Sequence, residues 1–430
     1  MKKNSSSIRI RKLTRSALKK ALPKSVLYGL YRRMIQVPQT LPEELEVQIA
    51  RTQEDLSAAF ALLHDRYLSE GFMKPHLSGM RVTKYHALPS TTTIVAKWKG
   101  EVVGTCSIIR SSGFGVPLES IFDISAFKNK GMRIGEVSSL AIHPKFSGKH
   151  GLVLFSLCKY LVHYSINYFG LDGAVIAVNP SWIDFYRSIF LFDNLALKEA
   201  PEYSFVNGAP AVGAYLNLHS FYEELLKNYG HLDDKSNLHR FMAKMQFDNL
   251  KYPTREAFKI SEPIWTPTSL DHFFNKRTEV FKDLSPIEIH QLHLLYNTQE
   301  FRNVLPPLPD KKVLRYIRSE KRFDIETPAR VFVSPVEHIA LTVHNVSETG
   351  LFGISNARGL RSNQHYQLKV ALGPFEHAEL TASLVWENSS GGMALKIHSS
   401  CKNWKSFIQQ LDTELISHPI IAAAELSAEG

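Results

Sequence analysis

Strand-like and helical patterns alternate over residues 45–218. Short apolar runs rich in β-branched residues predict strands, and apolar residues repeated every three or four positions predict helices. The predicted order is strand Leu45–Ala50, helix Asp55–Glu70, hairpin Thr92–Lys97 with Glu101–Ile109, strand Ile134–Ile142, helix Leu152–Tyr168, strand Gly173–Val178, a helix through Phe185 and Tyr186, and strand Val212–Leu218. This mixture of elements predicts an α+β domain.

The remainder of the chain changes from helical to strand-like patterns. The predicted helices are Leu218–Tyr229, Lys235–Met245, Ser269–Glu279 and Leu284–Thr298, and the linker is Pro306–Pro309. The predicted strands that follow are Ala329–Val333, Ile339–Val343, Gln367–Leu372, Leu380–Trp386 and Met393–Ile397, and the last helix is Asn403–Leu415. Many short strands separated by turns indicate a small β-barrel.

The stretch from Gly131 to Gly151 joins a strand to the longest predicted helix through a turn rich in Pro, Gly and Lys. A helix N-terminus that follows such a turn presents free N–H groups, which suit a phosphate or pyrophosphate. Glu136 is the only carboxylate in the strand Ile134–Ile142. Two interpretations stay open: a transfer site beside an anion cradle, or a surface turn with Glu136 paired to Arg133 or Lys145.

Composition is that of a globular protein with more than one domain. The chain has 430 residues, of which 44% are hydrophobic and 21% are charged. Its three cysteines are widely separated, which predicts a reducing compartment without a disulfide framework or a cysteine metal site. No apolar run reaches the length of a membrane span and no secretory signal is recognisable, so we expect a cytoplasmic protein.

The formal net charge of +10 is concentrated in residues 1–40, which contain many Lys and Arg but no acid. Apolar residues in this arm keep helical spacing on both sides of Pro23. A basic amphipathic arm suits an anionic membrane surface or an acidic partner, and a frayed, solvated arm is an equal alternative. Nucleic-acid binding is not favoured, because the arm has no interleaved aromatic residues or recognition motif.

These patterns predict five segments along the chain. They are a basic N-terminal arm at 1–42, an α+β domain with a helical extension at 43–305, a linker at 306–312, a barrel domain at 313–418 and a tail at 419–430.

Six short stretches carry a resemblance to a known family. They are Arg66-Tyr67, Val102–Ser107, Gly115–Leu118, Gly135–Ile142, Val178–Pro180 with Phe185-Tyr186, and Asn207–Val212. In residue identity and in order along the chain, these stretches resemble the long-chain N-acyl amino acid synthases of the FeeM type. Those synthases are relatives of the autoinducer synthases and share the GNAT acyltransferase fold. The resemblance implies a mixed central sheet that holds an acyl thioester between two splayed strands. It further implies transfer of a fatty acyl group to the amine of an amino acid or a related small molecule.

The turn after the central strand departs from the pattern of coenzyme-A-dependent GNAT enzymes, Arg/Gln-x-x-Gly-x-Gly/Ala. In one register, Ser147 stands in place of Arg/Gln, His150 in place of the first Gly and Leu152 in place of the final Gly/Ala. The alternative register fits the motif no better. This departure favours an acyl carrier protein over acyl-CoA as the donor. Autoinducer synthases would carry Arg at Ser139 and acids near Lys84–His86, and neither is present, so S-adenosylmethionine is not expected as a co-substrate.

Amide formation from a thioester needs a base, because the amine of a free amino acid is mostly protonated at neutral pH. Glu136 is the first candidate, and a structural ion pair is its alternative. Ser138, with backbone N–H groups of the same strand, is a candidate for holding the oxyanion. The resemblance implies that Tyr186 protonates the leaving thiolate, although a core aromatic residue is the alternative. Arg66 is expected either to orient an acceptor carboxylate or to cap its helix.

Further residues are expected to hold the acyl donor. They are Leu140, Ile142, Gly148, Lys149 and Asn179. The resemblance implies that Asn179 contacts the pantetheine arm. Neither a metal nor a cofactor is expected in catalysis.

Two motifs in the barrel region resemble the PilZ domain, which binds cyclic di-GMP. Arg318 and Arg322 form Arg-x-x-x-Arg, and Asn345, Ser347 and Gly350 form Asn-x-Ser-x-x-Gly. Arginine can stack on guanine, bond its Hoogsteen edge and pair with phosphate. The resemblance implies a six-stranded barrel with cyclic di-GMP as an allosteric ligand, and a barrel without ligand is the alternative. Two functions therefore stay open: a regulated N-acyltransferase, or an inactive acyltransferase-like scaffold that acts as a receptor.

Overall fold

The computed structural model describes residues 22–147, 151–195, 200–254, 264–309, 320–362, 364–373, 376–388 and 391–414. The α-helices are α1 Lys24–Met34, α2 Gln53–Ser69, α3 Ser125–Asn129, α4 Leu152–Asn167, α5 Ile183–Ile189, α6 Phe221–Tyr229, α7 Pro267–Asp271, α8 Pro286–Leu295, α9 Gln299–Arg302 and α10 Lys402–Glu414. The first nine strands are β1 Leu45–Ile49, β2 Thr91–Trp98, β3 Glu101–Arg110, β4 Ile134–Ile142, β5 Gly173–Val178, β6 Asp193–Asn194, β7 Ala200–Tyr203, β8 Ala209–Asn217 and β9 Leu250–Lys251. The others are β10 Phe323–Phe332, β11 His338–Val346, β12 Gly350–Ile354, β13 His365–Ala371, β14 His377–Glu387 and β15 Gly392–Ser400.

The first half of the chain forms a mixed sheet. Its strand order within the described residues is β6-β8-β5-β4-β3-β2-β1-β9, and β7 pairs with β8. The β4–β5 and β1–β9 pairs are parallel, and the other pairs of this sheet are antiparallel. Because both faces of the sheet are covered, its central strands are apolar on both sides, as the sequence of Ile134–Ile142 indicates.

Helix α2 begins where its sequence offers a cap. The Thr52 side chain accepts the N–H of Asp55, and acids fill the first turn, where they complement the helix dipole. The helix packs against β3 and β4 through an apolar stripe that includes Leu56, Phe60 and Leu63. The segment 264–305 covers the same core, and the Trp265 indole N–H donates to the carbonyl oxygen of His86. This part of the predicted helical extension therefore belongs to the core on the α2 face, whereas Phe221, Leu225 and Phe241 of the extension belong to the core on the opposite face.

Helix α4 covers the opposite face of the sheet. Leu157, Tyr160 and Tyr164 are fully buried on this face. Helix α1, from the predicted basic arm, lies against α5: the Tyr28 hydroxyl donates to Asp184 Oδ1 at 2.9 Å, and Arg32 Nε donates to the Ser188 carbonyl oxygen at 2.8 Å. The described part of the arm is thus packed on the folded domain, and residues 1–21 lie outside the described residues.

The second half forms a closed barrel. The order of its six strands within the described residues is β10-β11-β12-β15-β14-β13. Its core is separate from the two cores of the sheet and includes Val343, Leu368 and Leu380. Strand β12 had no counterpart in the sequence prediction, and β10 begins six residues before the predicted Ala329. The predicted fold class is confirmed: a mixed-sheet α+β domain followed by a six-stranded barrel.

Among the described residues, no helix has both the length and the apolar character required to cross a bilayer.

Candidate acyl-transfer site

The site lies where two parallel strands separate. Strands β4 and β5 are paired only over three positions, Ile134 with Gly173, Gly135 with Ala174 and Glu136 with Val175. Beyond Glu136, both strands continue without further pairing to each other. A cavity of about 540 Å³ opens beside this gap, and both strands line it. The observed gap matches the expectation of two splayed central strands.

A bulge in β4 decides which side chains face each side of the sheet. Thr105 of β3 pairs with Ala141, whereas Ser107 pairs with Ser138, so β4 contains one extra residue. Ser139, with a φ of 58°, is the non-glycine residue in the left-handed region at this point. A bulge interrupts the ladder and increases the local twist, which frees backbone groups from regular pairing.

Without this extra residue, strand alternation would place Glu136, Ser138, Leu140 and Ile142 on one face. Instead, Leu140 and Ile142 pack against the core on the α4 side, while Ile134 belongs to the core on the α2 side. Glu136 and Ser138 share the face of Ile134. The bulge therefore separates the polar candidates from the apolar ones.

The cavity has an apolar wall on the α4 side. Helix α4 contributes Leu154, Leu157, Cys158, Leu161 and Val162 to the lining, and neighbouring elements add Ile176, Phe190 and Leu216. Leu140 and Ile142, two of the predicted donor-binding residues, belong to the same lining. Such a wall suits a hydrocarbon chain.

The opposite wall is aromatic and more polar. Four aromatic side chains line the cavity here. Tyr67 belongs to α2 and Phe72 follows that helix, whereas Tyr203 belongs to β7 and Phe205 to the turn after it. The ring centroids are 6.0 Å apart in the first pair and 5.6 Å apart in the second. Glu136 lines the same cavity on this side of the sheet, because it shares the face of Ile134.

Glu136 is 2% exposed, and its Oε2 accepts the N–H of Leu118 at 2.7 Å. Burial raises the pKa of Glu136 to about 8, although the hydrogen bond from Leu118 acts in the opposite direction. Arg133, one of the two proposed ion-pair partners, contacts Asp172 and Glu326 instead. Glu136 is therefore a buried acid whose pKa lies close to neutral pH.

Ser138 and Tyr186 also line the cavity. Tyr186 is surrounded by Phe185, Phe190 and Phe192, with ring centroids 5.4 to 6.5 Å away. Burial raises the pKa of its hydroxyl well above the usual value, so the phenol stays protonated at neutral pH. The structure thus brings Tyr186 to the cavity as part of an aromatic cluster.

Arg66 lines the cavity and pairs with Glu70 one turn later, where Nη2 lies 3.0 Å from Oε1. Asn179 also lines the cavity, and its Oδ1 accepts both the N–H and the Oγ–H of Ser181, which fixes the turn before α5. Two further donor-binding predictions, Gly148 and Lys149, lie outside the described residues.

Sequence reasoning gave no role to the aromatic wall or to Arg81. The Arg81 guanidinium carbon lies 4.3 Å from the ring centroid of Tyr67 and 4.9 Å from that of Phe205. Its Nη2 donates to the carbonyl oxygen of Phe205 at 2.6 Å. Arg81 thereby joins residues that are more than a hundred positions apart, and no local pattern signals such a contact.

In the barrel, the described residues of the predicted ligand motifs lie together. Arg322 Nη1 donates to Asn345 Oδ1 at 2.6 Å, and the Ser347 N–H donates to the Gly350 carbonyl oxygen at 2.7 Å. A Cβ atom at Gly350 would lie 3.2 Å from Arg322 Nη2, so a side chain there would crowd the guanidinium. Arg318 lies outside the described residues.

No curated protein matches the chain. Among solved structures, that of FeeM, an N-acyl amino acid synthase from uncultured soil microbes, is 24% identical, covers 42% of this chain and 93% of that chain, and has a TM-score of 0.36. BjaI, a CoA-dependent acyl-homoserine lactone synthase solved with SAM and isopentyl-CoA, is 15% identical, with 49% and 95% of the two chains covered and a TM-score of 0.36. The Bacillus subtilis inhibitor of motility MotI/DgrA is 15% identical, with 23% and 51% covered and a TM-score of 0.20.

Residues 58–217 match the family model of the N-acyl amino acid synthase FeeM. The matched range includes β4, the bulge and the strands that line the cavity. The match confirms the predicted enzyme class, an N-acyltransferase, for this region of the chain.

Proposed function

We propose that the chain transfers a fatty acyl group from a thioester to the amine of an amino acid or a related small molecule, under the control of cyclic di-GMP. The observation that carries the proposal is the cavity beside the β4–β5 gap, which has an apolar wall on one side of the sheet and a buried carboxylate with aromatic residues on the other. The donor enters between the strands, its chain lies on the α4 side, and the acceptor lies on the α2 side.

In the proposed reaction, the neutral amine attacks the thioester carbonyl carbon. A pKa of about 8 makes Glu136 a base that can take the ammonium proton near neutral pH. Ser138 Oγ–H and backbone N–H groups at the bulge stabilise the oxyanion. As the carbon–sulfur bond breaks, Tyr186 donates its proton to the leaving thiolate. The products are an N-acyl amide and a free thiol, and transfer of the proton from Glu136 to Tyr186 through solvent restores both groups.

The acceptor is positioned by the aromatic wall. Tyr67, Phe72, Tyr203 and Phe205 enclose an apolar or aromatic side chain, and Arg66 pairs with the acceptor carboxylate after exchanging its contact with Glu70. An arginine fork matches a carboxylate in geometry and charge.

We propose an acyl carrier protein as the donor, with acyl-CoA as the alternative. The turn at 147–152 lacks the usual pyrophosphate pattern. Helix α1 lies on α5, which begins just after Asn179 and the exposed Trp182 at the cavity rim. Lys24 and Arg33 of α1 are exposed, with Lys24 3.8 Å from Asp184 Oδ1, and these two bases complement an acidic carrier. The more distal arm is proposed to contact the carrier or the inner face of the cytoplasmic membrane.

The barrel is proposed to be a PilZ domain. Arg322, Asn345, Ser347 and Gly350 form one wall of the cyclic di-GMP site, and Arg318 supplies the second arginine. The support is that the four described residues lie within one short region of the barrel. Arginine can contact both guanine and phosphate, which are the two chemical groups of this ligand.

The test is mass spectrometry of lipid extracts from bacteria that express the protein or its Glu136→Gln variant. We expect N-acyl amides from the first and at least about a hundredfold less from the second, the usual loss when a general base is removed. Glu224→Gln is the matched control, because it removes an exposed carboxylate that pairs with Lys227 on α6 and does not line the cavity. Absence of N-acyl amides from cells and from purified protein supplied with acyl donors would favour the inactive receptor.

A further inference from the structure

The barrel contacts the sheet through two arginines that flank the transfer site. Arg110 ends β3, and its Nη1 lies 2.8 Å from Asp324 Oδ2 of β10; its side chain is only 6% exposed. Arg133 precedes β4 and contacts Glu326, also of β10. Asn388 Nδ2 adds a hydrogen bond to the Asn129 carbonyl oxygen at 3.0 Å. Two acids of a single barrel strand thus bind the two arginines.

Both arginines are attached to the paired beginnings of β4 and β5, a few residues before the strands separate. Arg110 pairs across the ladder with Gly135, and the preceding Ile109 pairs with Glu136. The Arg133 N–H donates to Asp172 Oδ2 at 2.6 Å, and its guanidinium reaches the same carboxylate at 3.0 Å. Asp172 directly precedes β5. Arg133 therefore joins the beginnings of the two strands whose separation forms the cavity.

On the barrel side, the same acids are next to the proposed ligand residues. Asp324 pairs across the ladder with Asn345, whose side chain accepts a hydrogen bond from Arg322. The β10–β11 ladder is irregular between Asp324 and Thr327, so the backbone that carries Glu326 is not fixed by regular pairing. A continuous series of contacts therefore links the two sites. Arg322 is hydrogen-bonded to Asn345, Asn345 pairs with Asp324 across the ladder, Asp324 contacts Arg110, and Arg110 pairs with the strand that carries Glu136.

We propose that the Arg110–Asp324 and Arg133–Glu326 contacts couple the barrel ligand site to the acyl-transfer site. This inference rests on the proposed function. A dinucleotide that binds Arg322 must displace or reorient its hydrogen bond with Asn345. That change alters the position of Asp324 and Glu326, and therefore of the two arginines at the start of β4 and β5. The width of the strand gap, and with it the alignment of thioester and Glu136, then depends on ligand binding.

The experiment compares the full-length protein with the double variant Asp324→Asn, Glu326→Gln and with Arg110→Gln, which breaks the first contact from the other side. Calorimetry measures cyclic di-GMP binding, and acyl transfer is measured with and without the dinucleotide. Glu379→Gln is the matched control, since it removes a barrel carboxylate that pairs with Lys369 on the barrel itself.

We expect cyclic di-GMP to change kcat/KM of the wild type and of the control by at least about fivefold. The interface variants should bind the dinucleotide but show no change in kcat/KM. A response in those variants equal to that of the wild type would overturn the coupling role alone. Binding to the wild type without any response would also overturn it, while leaving the ligand assignment intact. No binding to the wild type would refute the ligand assignment itself.

Discussion

At the scale of single residues, the central feature is a carboxylate held away from water. Glu136 has one hydrogen bond from a backbone N–H, and burial raises its pKa to about 8. A group with this pKa is protonated in part of the population near neutral pH and can both accept and release a proton there. The same burial that makes ionisation unfavourable makes the carboxylate a stronger base than an exposed glutamate.

The pH dependence of activity follows from this pKa. Because the base must be ionised, kcat/KM should rise with pH and level off above about 8. Glu136→Gln should lower kcat/KM by at least about a hundredfold and remove that rise. Steady-state kinetics between pH 6 and about 9.5 check both expectations. An unchanged pH profile in the variant would assign the titration to another group.

Stability should depend on pH in the opposite sense. The pKa of Glu136 is raised in the folded state, from 4.5 to about 8, so the folded protein binds the proton more tightly than the unfolded chain. The contribution of Glu136 to the free energy of unfolding is fully present below its pKa in the unfolded chain. It is lost as the pH rises through the pKa of Glu136 in the folded protein. Denaturant unfolding at acidic and alkaline pH should show a smaller decline for Glu136→Gln than for the wild type. Equal declines would mean that Glu136 ionises as easily in the folded protein as in water.

At the scale of elements, the bulge in β4 directs its polar and its apolar side chains to opposite sides of the sheet. An unbulged strand would direct the polar candidates and the apolar donor residues to one face. The bulge depends on a left-handed φ at Ser139, which β-branched residues adopt only with strain. The backbone conformation at one position therefore determines which side chains of β4 face each wall of the cavity.

Substitutions at Ser139 separate backbone conformation from side-chain chemistry. Ser139→Gly should fold normally and keep most of its activity, because glycine adopts positive φ without strain. Ser139→Val should lose about 1–3 kcal/mol of unfolding free energy and most of its turnover. Chemical denaturation and acyl-transfer assays measure the two effects. Similar stability and activity of the two variants would show that the bulge does not require this conformation.

Side chains of helix α4 form much of the apolar wall of the cavity. We expect their size to limit the length of the acyl chain that the cavity can hold. Leu161 is 7% exposed and lines the cavity. Leu161→Trp should lower kcat/KM for long-chain donors more than for short-chain donors, because the larger ring fills the space of the distal chain. Leu226→Trp, at an exposed position of α6, is the control. A uniform loss at all chain lengths would indicate general damage to the core rather than chain selection.

At the scale of the whole molecule, two folded regions meet through a small polar interface. The sheet has a core on each face, and the barrel has a third core of its own. The contacts between them include the two arginine–acid pairs, the Asn388–Asn129 hydrogen bond and the approach of Ile354 to Gly131. Interfaces of this polar kind permit relative motion, which the proposed regulation requires.

Independent cores predict independent folding of the barrel. A fragment of residues 306–418 should unfold cooperatively and bind cyclic di-GMP, while Arg322→Ala in the same fragment should remove binding without unfolding it. Circular dichroism and calorimetry give the two readouts. A fragment that is unfolded in isolation would show that the barrel depends on the acyltransferase region.

The sequence alone determined the order of the longer elements, the glutamate on the central strand and the two barrel motifs that resemble those of a PilZ domain. These are local properties: periodicity and residue spacing can be read over ten or twenty positions. The short strand β12 was missed because its five residues carry little periodic signal. The positions of β6, β7 and β9 were missed for the same reason.

The tertiary structure alone decided the chemistry of the site. The bulge at Ser139 cannot be read from Ile134–Ile142, because a strand buried on both faces has no alternation to interrupt. The raised pKa of Glu136 depends on burial by α2 and the strands around it, and the aromatic wall joins Tyr67 to Phe205 through Arg81. The arginine–acid contacts likewise join residues about two hundred positions apart. Such contacts depend on how distant segments pack, which no local pattern specifies.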